Sequence, residues 1–577
     1  MHKIAYLRIA ALAAGAALLT LLGAALAPSP AAACGCFAQS NPATPVVQGG
    51  ERIAFAMKDG QVTAHIQIQY AGAAEDFAWL VPLPSMPEME LGVDELFTEL
   101  IAQTQPQYSM NTSTPSCPSR PRSGGGRGQA PDAGAAWPSP DEPHLVLEEG
   151  SVGPYDYTVL SAEDKQTLAD WLAEEGYFVA TGGDQALDPY IRPGGFFLAL
   201  KLRTGESVGN LQPIVLRYQA ELPQIPIVLT SVGAERDMPV MVWMLGEHRA
   251  IPRNYYHTHI NDALIDWRLG GANYVEVVTA AVDEADGQHS FVTEYAGTSD
   301  IMRDRLDAPG RFGDLDQLAG IDDPMAFLRY LRREQYLVTP QLLNILEAAI
   351  PLPEGLEEAL GYELDYSTFY LDLRSYTRYA PELFEDAYPD FDPRELAATL
   401  DERIVTPTLA AGQLFRDHPY MTRLFTTLSP EEMTKDPVFS FNPNLPDVSN
   451  IHTAELRYLE CREGGGTDFD GAALLTTEQG WRLFLPRGLN NFDWPSAPLP
   501  ASHRIEILRE EGQAEVMIDN TGAIEAAVSD YRPVPDPLPS PSTGGCDAGG
   551  GAGGGGAALA LALWGLLSLR RRRQRSA

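Results

Sequence analysis

Short apolar segments that end at tight turns dominate the first half of this chain, and they favour folds built on antiparallel sheets. Residues 53–57 (IAFAM) and 62–70 (VTAHIQIQY) are separated by Asp59-Gly60, a dipeptide typical of two-residue hairpin turns. Apolar and polar residues alternate in the second segment, which is the period of a half-buried strand. The two segments therefore predict a β-hairpin.

Strand patterns of the same kind recur up to residue 300. They lie at 76–84, 144–150, 152–160, 196–202, 213–218, 238–245, 274–282 and 289–295. Asp286-Gly287 predicts a second hairpin between the last two. Because short turns join these strands and few helices separate them, we predict an α+β fold with largely antiparallel sheets in the N-terminal half.

Helical periodicity takes over beyond residue 300. Apolar residues recur at helical spacing at 323–334, 340–349 and 393–415. The helix-rich segment 300–430 forms either a separate domain or a layer on the sheet. Further strands are predicted at 452–460, 481–485, 504–508 and 514–518.

Two earlier helices are also predicted. One covers residues 93–104, and Ser161 caps the other, with Asp164 three residues further on as in a capping box.

The length of 577 residues exceeds that of one ordinary domain. Residues 105–143 are rich in Pro, Ser, Gly and Arg and are predicted to be a disordered insert. The predicted organisation is a signal peptide at 1–33, an α+β domain at 34–300, a helix-rich region with late strands at 301–530, a Pro-rich stalk at 531–545 and a sorting and membrane segment at 546–577.

The charge of the chain is strongly negative. It contains 78 Asp and Glu against 41 Lys and Arg, for a formal net charge of -37 at pH 7. Because such a surface repels phosphate backbones, nucleic acid is excluded as a partner. The charge is typical of a soluble surface in an exposed compartment, and a cation-binding surface is the alternative.

The N-terminus has the pattern of a secretory signal. Two basic residues precede an apolar run at 9–27, and Ala31 and Ala33 fit an A-x-A cleavage site before Cys34. We therefore predict export. The alternatives are a retained transmembrane helix and lipidation of Cys34.

The C-terminus has the order expected of a surface anchor. Cys546 is followed by a glycine-rich stretch, an apolar run at 557–569 and an arginine cluster at 570–575. The apolar run alone spans about 20 Å as a helix, and the glycines from residue 549 extend it to about 31 Å, against a hydrocarbon core of about 30 Å. We predict a membrane segment whose arginines are cytoplasmic before processing, with the body outside.

Five cysteines are present, namely Cys34, Cys36, Cys117, Cys461 and Cys546. Thiols tend to pair outside the cytosol. Cys34 and Cys36 are too close for a comfortable bridge, so we predict that they pair with Cys117 and Cys461, in either order. A metal site is the alternative interpretation of these four cysteines, although no CxxC pair exists.

The strongest metal-like feature is His257-Thr258-His259. On an extended segment, residues i and i+2 point to the same side, so two imidazoles can reach one ion. His248 or Asp262 would supply a third ligand. The alternative is a loop with two solvated or hydrogen-bonded histidines, because no HExxH motif or further His and Cys cluster accompanies the pair.

Other motif matches lack the required context. Residues 205–209 fit G-x-S-x-G, but a strand follows where a nucleophile elbow requires a helix, so a catalytic Ser207 is not predicted. Residues 283–294 have the length of a calcium loop but carry glycine at the fifth position, which favours a hairpin. No catalytic residue and no cofactor is predicted.

Several separated segments carry a family resemblance. They are CGCF after the leader, FAWLVPLP, VGPYDYTVL with TLADWLAEEGY, NYYHTHINDALIDW and FVTEYAG. Together they resemble domain of unknown function 2330, a family of exported bacterial proteins, over roughly residues 34–460. The resemblance implies secretion and an α+β body, and it implies no known activity.

The tail, with Cys546, the glycines, the apolar run and the arginines, is similar to the MYXO-CTERM sorting signal. This resemblance implies a sorting or processing protease as a partner, processing near Cys546 and retention at the cell surface. The resulting hypothesis is an exported, surface-anchored, non-enzymatic binding or structural protein of unknown ligand. The alternative is an extracytoplasmic hydrolase or metal-dependent enzyme.

Overall fold

The computed structural model of the protein describes residues 47–71, 78–115, 146–161, 164–175, 177, 183–203, 211–463, 466–489 and 499–530. The predicted signal peptide, stalk and anchor lie outside these ranges, as do most of the insert, Cys34, Cys36, Cys117, Cys546 and Ser207. Cysteine pairing and tail processing therefore stay predictions. Within the described ranges, no helix combines the length and apolar character needed to cross a membrane.

Strands and helices follow one another along the chain as follows. The strands are β1 (Val47–Lys58), β2 (Gln61–Ala71), β3 (Ala78–Leu83), β4 (Glu88–Leu91), β5 (Gln107–Ser113), β6 (Val146–Val152), β7 (Tyr155–Ser161), β8 (Phe196–Leu202), β9 (Ile214–Gln219), β10 (Met238–Gly246), β11 (Arg249–Pro252), β12 (Tyr256–Ile260), β13 (Ser290–Thr298), β14 (Tyr420–Leu428), β15 (Phe439–Asn442), β16 (Ile451–Tyr458), β17 (Ala473–Thr476), β18 (Arg482–Leu485), β19 (Ser502–Ile507) and β20 (Glu515–Asp519). The α-helices are α1 (Asp94–Thr104), α2 (Lys165–Glu174), α3 (Gly183–Ala186), α4 (Ile227–Thr230), α5 (Tyr274–Asp283), α6 (Leu315–Leu318), α7 (Pro324–Arg333), α8 (Pro340–Ala349), α9 (Leu356–Leu360), α10 (Tyr366–Leu371), α11 (Leu373–Tyr379), α12 (Pro393–Leu400), α13 (Thr406–Asp417) and α14 (Thr521–Asp530).

The chain divides into two compact units. Unit 1 comprises Met1–Ser109, Pro131–Thr453 and Trp494–Ala526, and unit 2 comprises Met110–Ala130, Ala454–Asp493 and Ala527–Ala577. The domain boundary predicted at residue 300 lies within unit 1.

A ten-stranded sheet forms the centre of unit 1, with the strand order β20–β19–β12–β13–β14–β10–β1–β2–β9–β4. Most neighbours are antiparallel, while β1 pairs in parallel with β10, and β12 with β13. A second sheet has the order β3–β8–β7–β6, and β11 pairs with β15. The predicted α+β fold with largely antiparallel sheets is confirmed.

The β1–β2 hairpin forms where the sequence predicts it. Lys58 pairs with Gln61, and Asp59 and Gly60 between them have φ angles of 53° and 80°. Positive φ at both positions is the geometry of a type I′ turn, whose twist matches that of the strands. The Asp-Gly dipeptide therefore sets the register of the first two strands.

The two faces of the ten-stranded sheet pack against different layers. Ile53 lies on one face, in an apolar core that it shares with Trp79 and Leu198 of the second sheet. Its neighbour Ala54 lies on the other face, in a core with Trp243, α1 and α13. Alternation along β1 separates these two cores, because successive side chains of a strand point in opposite directions.

Helices α6 to α12 build an apolar core of their own within unit 1. Phe327, Leu331, Leu346, Phe369 and Leu400 are fully buried in it. The predicted helices at 323–334 and 340–349 are confirmed by α7 and α8. The helix-rich segment therefore has a core of its own, and it lies within unit 1.

The strand predicted at 274–282 is wrong, because these residues form α5. The residues that α5 buries are spaced as one side of a helix, namely Val277, Val278, Ala281 and Val282. Consecutive β-branched residues favour strands locally, but burial of this apolar side decides the structure.

One turn and one helix cap also differ from their predictions. Asp286-Gly287 forms a 3-10 turn that leads from α5 into β13, so no hairpin lies there. The side chain of Asp164 accepts a hydrogen bond from the backbone N–H of Thr167 and caps α2, while Ser161 ends β7. A carboxylate at this position satisfies a helix N–H and complements the helix dipole.

The helix predicted at 393–415 contains a π-helical turn at Asp401–Val405, between α12 and α13. The main-chain carbonyl of Arg403 accepts hydrogen bonds from the side-chain amides of Gln212 (3.1 Å) and Gln341 (2.6 Å). A π-turn disturbs the regular hydrogen-bond ladder of a helix, and these amides satisfy one of its carbonyl groups.

Unit 2 is built on the sheet β18–β17–β16–β5. The strands predicted at 452–460 and 481–485 are confirmed by β16 and β18, whereas β5 lies in the segment that was predicted to be disordered. Cys461 lies opposite Thr467 in an isolated β-bridge.

Candidate metal centre

Two neighbouring antiparallel strands of unit 1 bring three potential metal ligands to one side of the ten-stranded sheet. His257 and His259 are two positions apart on β12 and project from the same face. The register of β12 and β19 places Glu506 opposite His257 and Arg504 opposite His259. Residues directly opposite each other share a face, so Glu506 joins the two imidazoles.

The ligand atoms of these three side chains converge. Glu506 Oε2 lies 3.2 Å from His259 Nε2 and 3.7 Å from His257 Nδ1. All three side chains offer ligand atoms within 4.8 Å of one another. Two ligands of a tetrahedral Zn²⁺ ion lie about 3.4 Å apart when the bonds are about 2.1 Å long. The cluster can therefore close around an ion with small side-chain movements.

Access to the cluster is one-sided. The side chains of His257 and Glu506 are buried, whereas 44% of the His259 side chain is exposed. Three protein ligands with an open fourth position are typical of catalytic zinc sites, whereas structural sites usually supply four. Solvent would reach an ion held by this cluster from the side of His259.

A hydrogen-bond chain fixes the orientation of His257. Its Nε2 lies 2.9 Å from Thr293 Oγ1, and Arg249 Nη2 donates a hydrogen bond to the same oxygen at 3.2 Å. In the tautomer that donates from Nε2 to Thr293, the lone pair lies on Nδ1. That atom is buried and has no hydrogen-bond partner among the described residues. Metal-bound histidines usually donate their second ring N–H to a carboxylate, a backbone carbonyl or a water, and the Thr293 hydroxyl takes that place here.

Burial and mutual contacts set the charges of the cluster. Burial lowers the pKa of His257 to about 3, so its imidazole is neutral and offers a lone pair. Burial alone would raise the pKa of Glu506, but its contacts with His257 and His259 hold that pKa well below the usual range. A charged carboxylate and neutral imidazole nitrogens suit Zn²⁺. The positive charge of the nearby Arg249 guanidinium repels a metal cation and so reduces the binding free energy that the cluster can provide.

The structure brings together the two histidines that the sequence indicates, but the third member of the cluster is Glu506. Exposed His248 and buried Asp262 are not part of it. Glu506 is 247 positions away from His259, and no local motif marks it. Only the pairing of β12 with β19 reveals this ligand, so inspection of short segments could not find it.

The acidic segment 283–294 forms no calcium loop. Asp283 ends α5, and Glu294 accepts a hydrogen bond from the Tyr274 hydroxyl at 2.7 Å. Glu294 also forms a buried ion pair with Arg423. Its oxygens are therefore engaged with protein groups, and the segment serves the packing of the sheet.

The fold and the cluster together define an α+β protein with a two-histidine, one-carboxylate site. The sequence profile of the family described as "Uncharacterized protein conserved in bacteria (DUF2330)" matches residues 28–318. This is just over half of the chain, and the chain belongs to that family. No curated protein and no solved structure matches it. His257 and His259 lie within the matched segment, and Glu506 lies beyond it.

Proposed function

We propose that this is an exported bacterial surface protein whose body binds a divalent transition-metal ion, with Zn²⁺ as the first choice. The convergence of His257, His259 and Glu506 ligand atoms within 4.8 Å carries the proposal. Two imidazoles and one carboxylate suit Zn²⁺, whereas Ca²⁺ and Mg²⁺ prefer oxygen ligands alone. We assign the site a binding role, without an enzymatic step.

The surroundings of His257 Nδ1 support an ion in the cluster. A buried polar atom without a hydrogen-bond partner costs about 1–3 kcal/mol, and His257 Nδ1 is such an atom. An ion between Nδ1 and Glu506 Oε2 removes this cost and neutralises the carboxylate. The hydrogen bond between His257 and Thr293 persists when the ion binds, so the ring is already oriented.

Metal analysis of the full-length protein tests the proposal. We expect one equivalent of Zn²⁺ by elemental analysis after chelator treatment, reloading and dialysis. His257→Ala and Glu506→Gln are expected to abolish this binding. His248→Gln is the matched control, because His248 is exposed and lies outside the cluster. An unchanged metal content in the first two variants would contradict the proposal.

The alternative function is metal-dependent hydrolysis. The exposed side of His259 favours it, because an ion there could bind a water as its fourth ligand. Hydrolysis of an activated ester or amide by the Zn²⁺-loaded protein, lost in Glu506→Gln, would establish this function. Stoichiometric Zn²⁺ without turnover would leave the binding role.

Export and anchoring rest on the two ends of the chain. The leader with Ala31 and Ala33 and the tail with Cys546 support a processed, surface-held protein. We expect intact-mass spectrometry of surface material to find residues 570–575 removed and Cys546 at the new terminus or lipidated. Cys546→Ala is expected to leave the chain unprocessed. Surface material that retains the arginines would refute this proposal.

The proposed disulfides join Cys34 and Cys36 to Cys117 and Cys461. Non-reducing peptide mapping of the exported protein is expected to find these cross-links. Free thiols at Cys117 and Cys461 would overturn the pairing.

A further inference from the structure

A groove in unit 1 separates the ten-stranded sheet from α13. Its volume is about 470 Å³, and its lining combines β2, β4 and β9 of the sheet with β6, the π-turn and α13. We propose that this groove binds a small organic cation, an ammonium group on an apolar body. The site is distinct from the His257 cluster and does not depend on the proposed metal.

The sheet side of the groove arises from strand register. His65 on β2 pairs with Val215 on β9, and Arg217 lies two positions further on the same strand, so all three share one face. The opposite face of β2 carries Ala64 and Ile66 in the main core. Alternation therefore turns polar groups of the strand toward the groove.

One side of α13 closes the groove. Its lining residues Pro407, Ala410, Leu414 and Asp417 recur every three or four positions. The preceding π-turn adds Glu402 to the lining. π-helical turns recur at functional sites because they displace side chains from regular helical positions.

His65 gives the groove a polar group that lacks a partner. Its side chain is only 4% exposed, and Nδ1 has no hydrogen-bond partner among the described residues. Burial, assisted by the charge of Arg217, lowers the pKa of His65 to about 3. The imidazole is therefore neutral at pH 7 and adds no positive charge that would repel an ammonium group.

The charges of the lining select a cation. Glu90 and Arg217 form an ion pair and balance each other. Asp417 accepts a hydrogen bond from the neutral Gln413 amide at 3.1 Å, and Glu402 forms no ion pair within the part of the chain that the structure describes. These two carboxylates leave the described lining with a net negative charge, which attracts an ammonium group and repels a carboxylate.

The apolar part of the lining determines which organic group can accompany the ammonium group of the ligand. Apolar side chains from both sides contribute to the groove, with Val215 on the sheet side and Pro407, Ala410 and Leu414 on α13. A mostly apolar cavity of a few hundred Å³ with a few polar groups is typical of small-molecule sites. A short alkyl or aryl amine satisfies both features.

A matched ligand series tests the charge requirement. Saturation-transfer NMR on the full-length protein would compare hexylamine, hexanol and hexanoate, which share one chain and differ in charge. We expect binding of hexylamine, at least about tenfold weaker binding of hexanol and none of hexanoate. Equal binding of hexanol, or no binding of hexylamine, would overturn the proposal.

Two variants of α13 locate the binding. Ala410→Trp places a large ring in the groove and is expected to abolish hexylamine binding. Leu409→Trp is the matched control, because Leu409 is exposed and does not contribute to the lining. Glu402→Gln with Asp417→Asn removes both charges without changing side-chain size and is expected to weaken binding about tenfold. Binding unchanged in Ala410→Trp would refute the site.

The same titration separates this site from the metal centre. Hexylamine binding is expected to persist in His257→Ala and in excess chelator. Loss of binding in either condition would assign the amine to the metal centre and overturn the groove as its site.

Discussion

Two buried carboxylates of the ten-stranded sheet, Glu294 on β13 and Glu506 on β19, meet different surroundings. Glu294 is ion-paired with Arg423 and accepts a hydrogen bond from Tyr274. Glu506 faces the two imidazoles of His257 and His259. The first carboxylate is paired with a guanidinium group of the chain, and the second faces two imidazole rings. Burial of a carboxylate is therefore compatible with a closed structural network or with an open ligand set.

The partners of Arg423 complete the contrast. Its Nη1 donates to Thr104 Oγ1 at 3.2 Å, and its guanidinium lies over the Trp243 ring at 5.3 Å. Trp243 Nε1 donates to the same Thr104 oxygen at 3.0 Å. The network around Glu294 thus joins its carboxylate to a guanidinium and a hydroxyl group, whereas His257 Nδ1 lies 3.7 Å from Glu506 Oε2, beyond hydrogen-bond distance.

Glu51 on β1 extends the comparison to a carboxylate with still fewer partners. It is buried, and its Oε2 has no hydrogen-bond partner within the described ranges. Burial raises the pKa of Glu51 to about 7. The three carboxylates therefore span a paired anion, an anion held by imidazoles and a group that titrates near neutrality.

The largest effect is expected from breaking the Glu294 network. Arg423→Ala leaves Glu294 buried without its cation, and removal of one partner of a buried pair costs about 3–5 kcal/mol. Urea unfolding would measure this loss. Arg504→Ala is the control, because its pair with Asp519 is about half exposed and solvent screens such pairs, so little stability is lost. Similar losses in both variants would contradict the contrast.

The next effect concerns Glu51 and pH. Its raised pKa means that the folded chain binds a proton that the unfolded chain releases above pH 4.5, so stability falls as pH rises from 4.5 to 7. Above pH 7, the free energy of unfolding is expected to be about 3 kcal/mol lower than below pH 4.5 because of this group. Glu51→Gln is expected to remove this dependence and to unfold at higher urea than the parent at pH 8, with little difference at pH 4.5. A variant that is less stable at pH 8 would refute the assignment.

A smaller effect links the Glu506 cluster to its proposed ion. Zn²⁺ at 100 times its dissociation constant is expected to raise the free energy of unfolding by about 2.7 kcal/mol. Glu506→Gln is expected to lose this increment, while Glu515→Gln on the exposed neighbouring strand keeps it. Thermal unfolding with and without Zn²⁺ measures both. A Zn²⁺ effect that survives in Glu506→Gln would place the ion elsewhere.

The smallest effect is expected at Thr293, which orients His257. Thr293→Val removes the hydroxyl that hydrogen-bonds to His257 Nε2 and is expected to weaken Zn²⁺ binding about tenfold. Thr258→Val is the matched control, because Thr258 bonds Ser290 and is not part of the cluster. Competition with a chromophoric chelator gives both affinities, and equal losses would indicate a general packing effect.

The sequence predicts local features of this fold better than distant ones. The Asp59-Gly60 turn and the paired histidines are visible because the determining residues are adjacent. The strand prediction at 274–282 fails because burial against the sheet overrides the preference of β-branched residues. Glu506 could not be found because its role depends on a strand pairing across half of the chain.

The separation of His259 and Glu506 along the chain has a consequence for when an ion can be acquired. The two residues are 247 positions apart and meet only when β19 docks beside β12. If the chain is exported unfolded, in line with our proposal of export, it carries no assembled site through the cytosol. The metals available where folding ends would then decide which ion is bound. A bound ion would also link the late part of the chain to the early part.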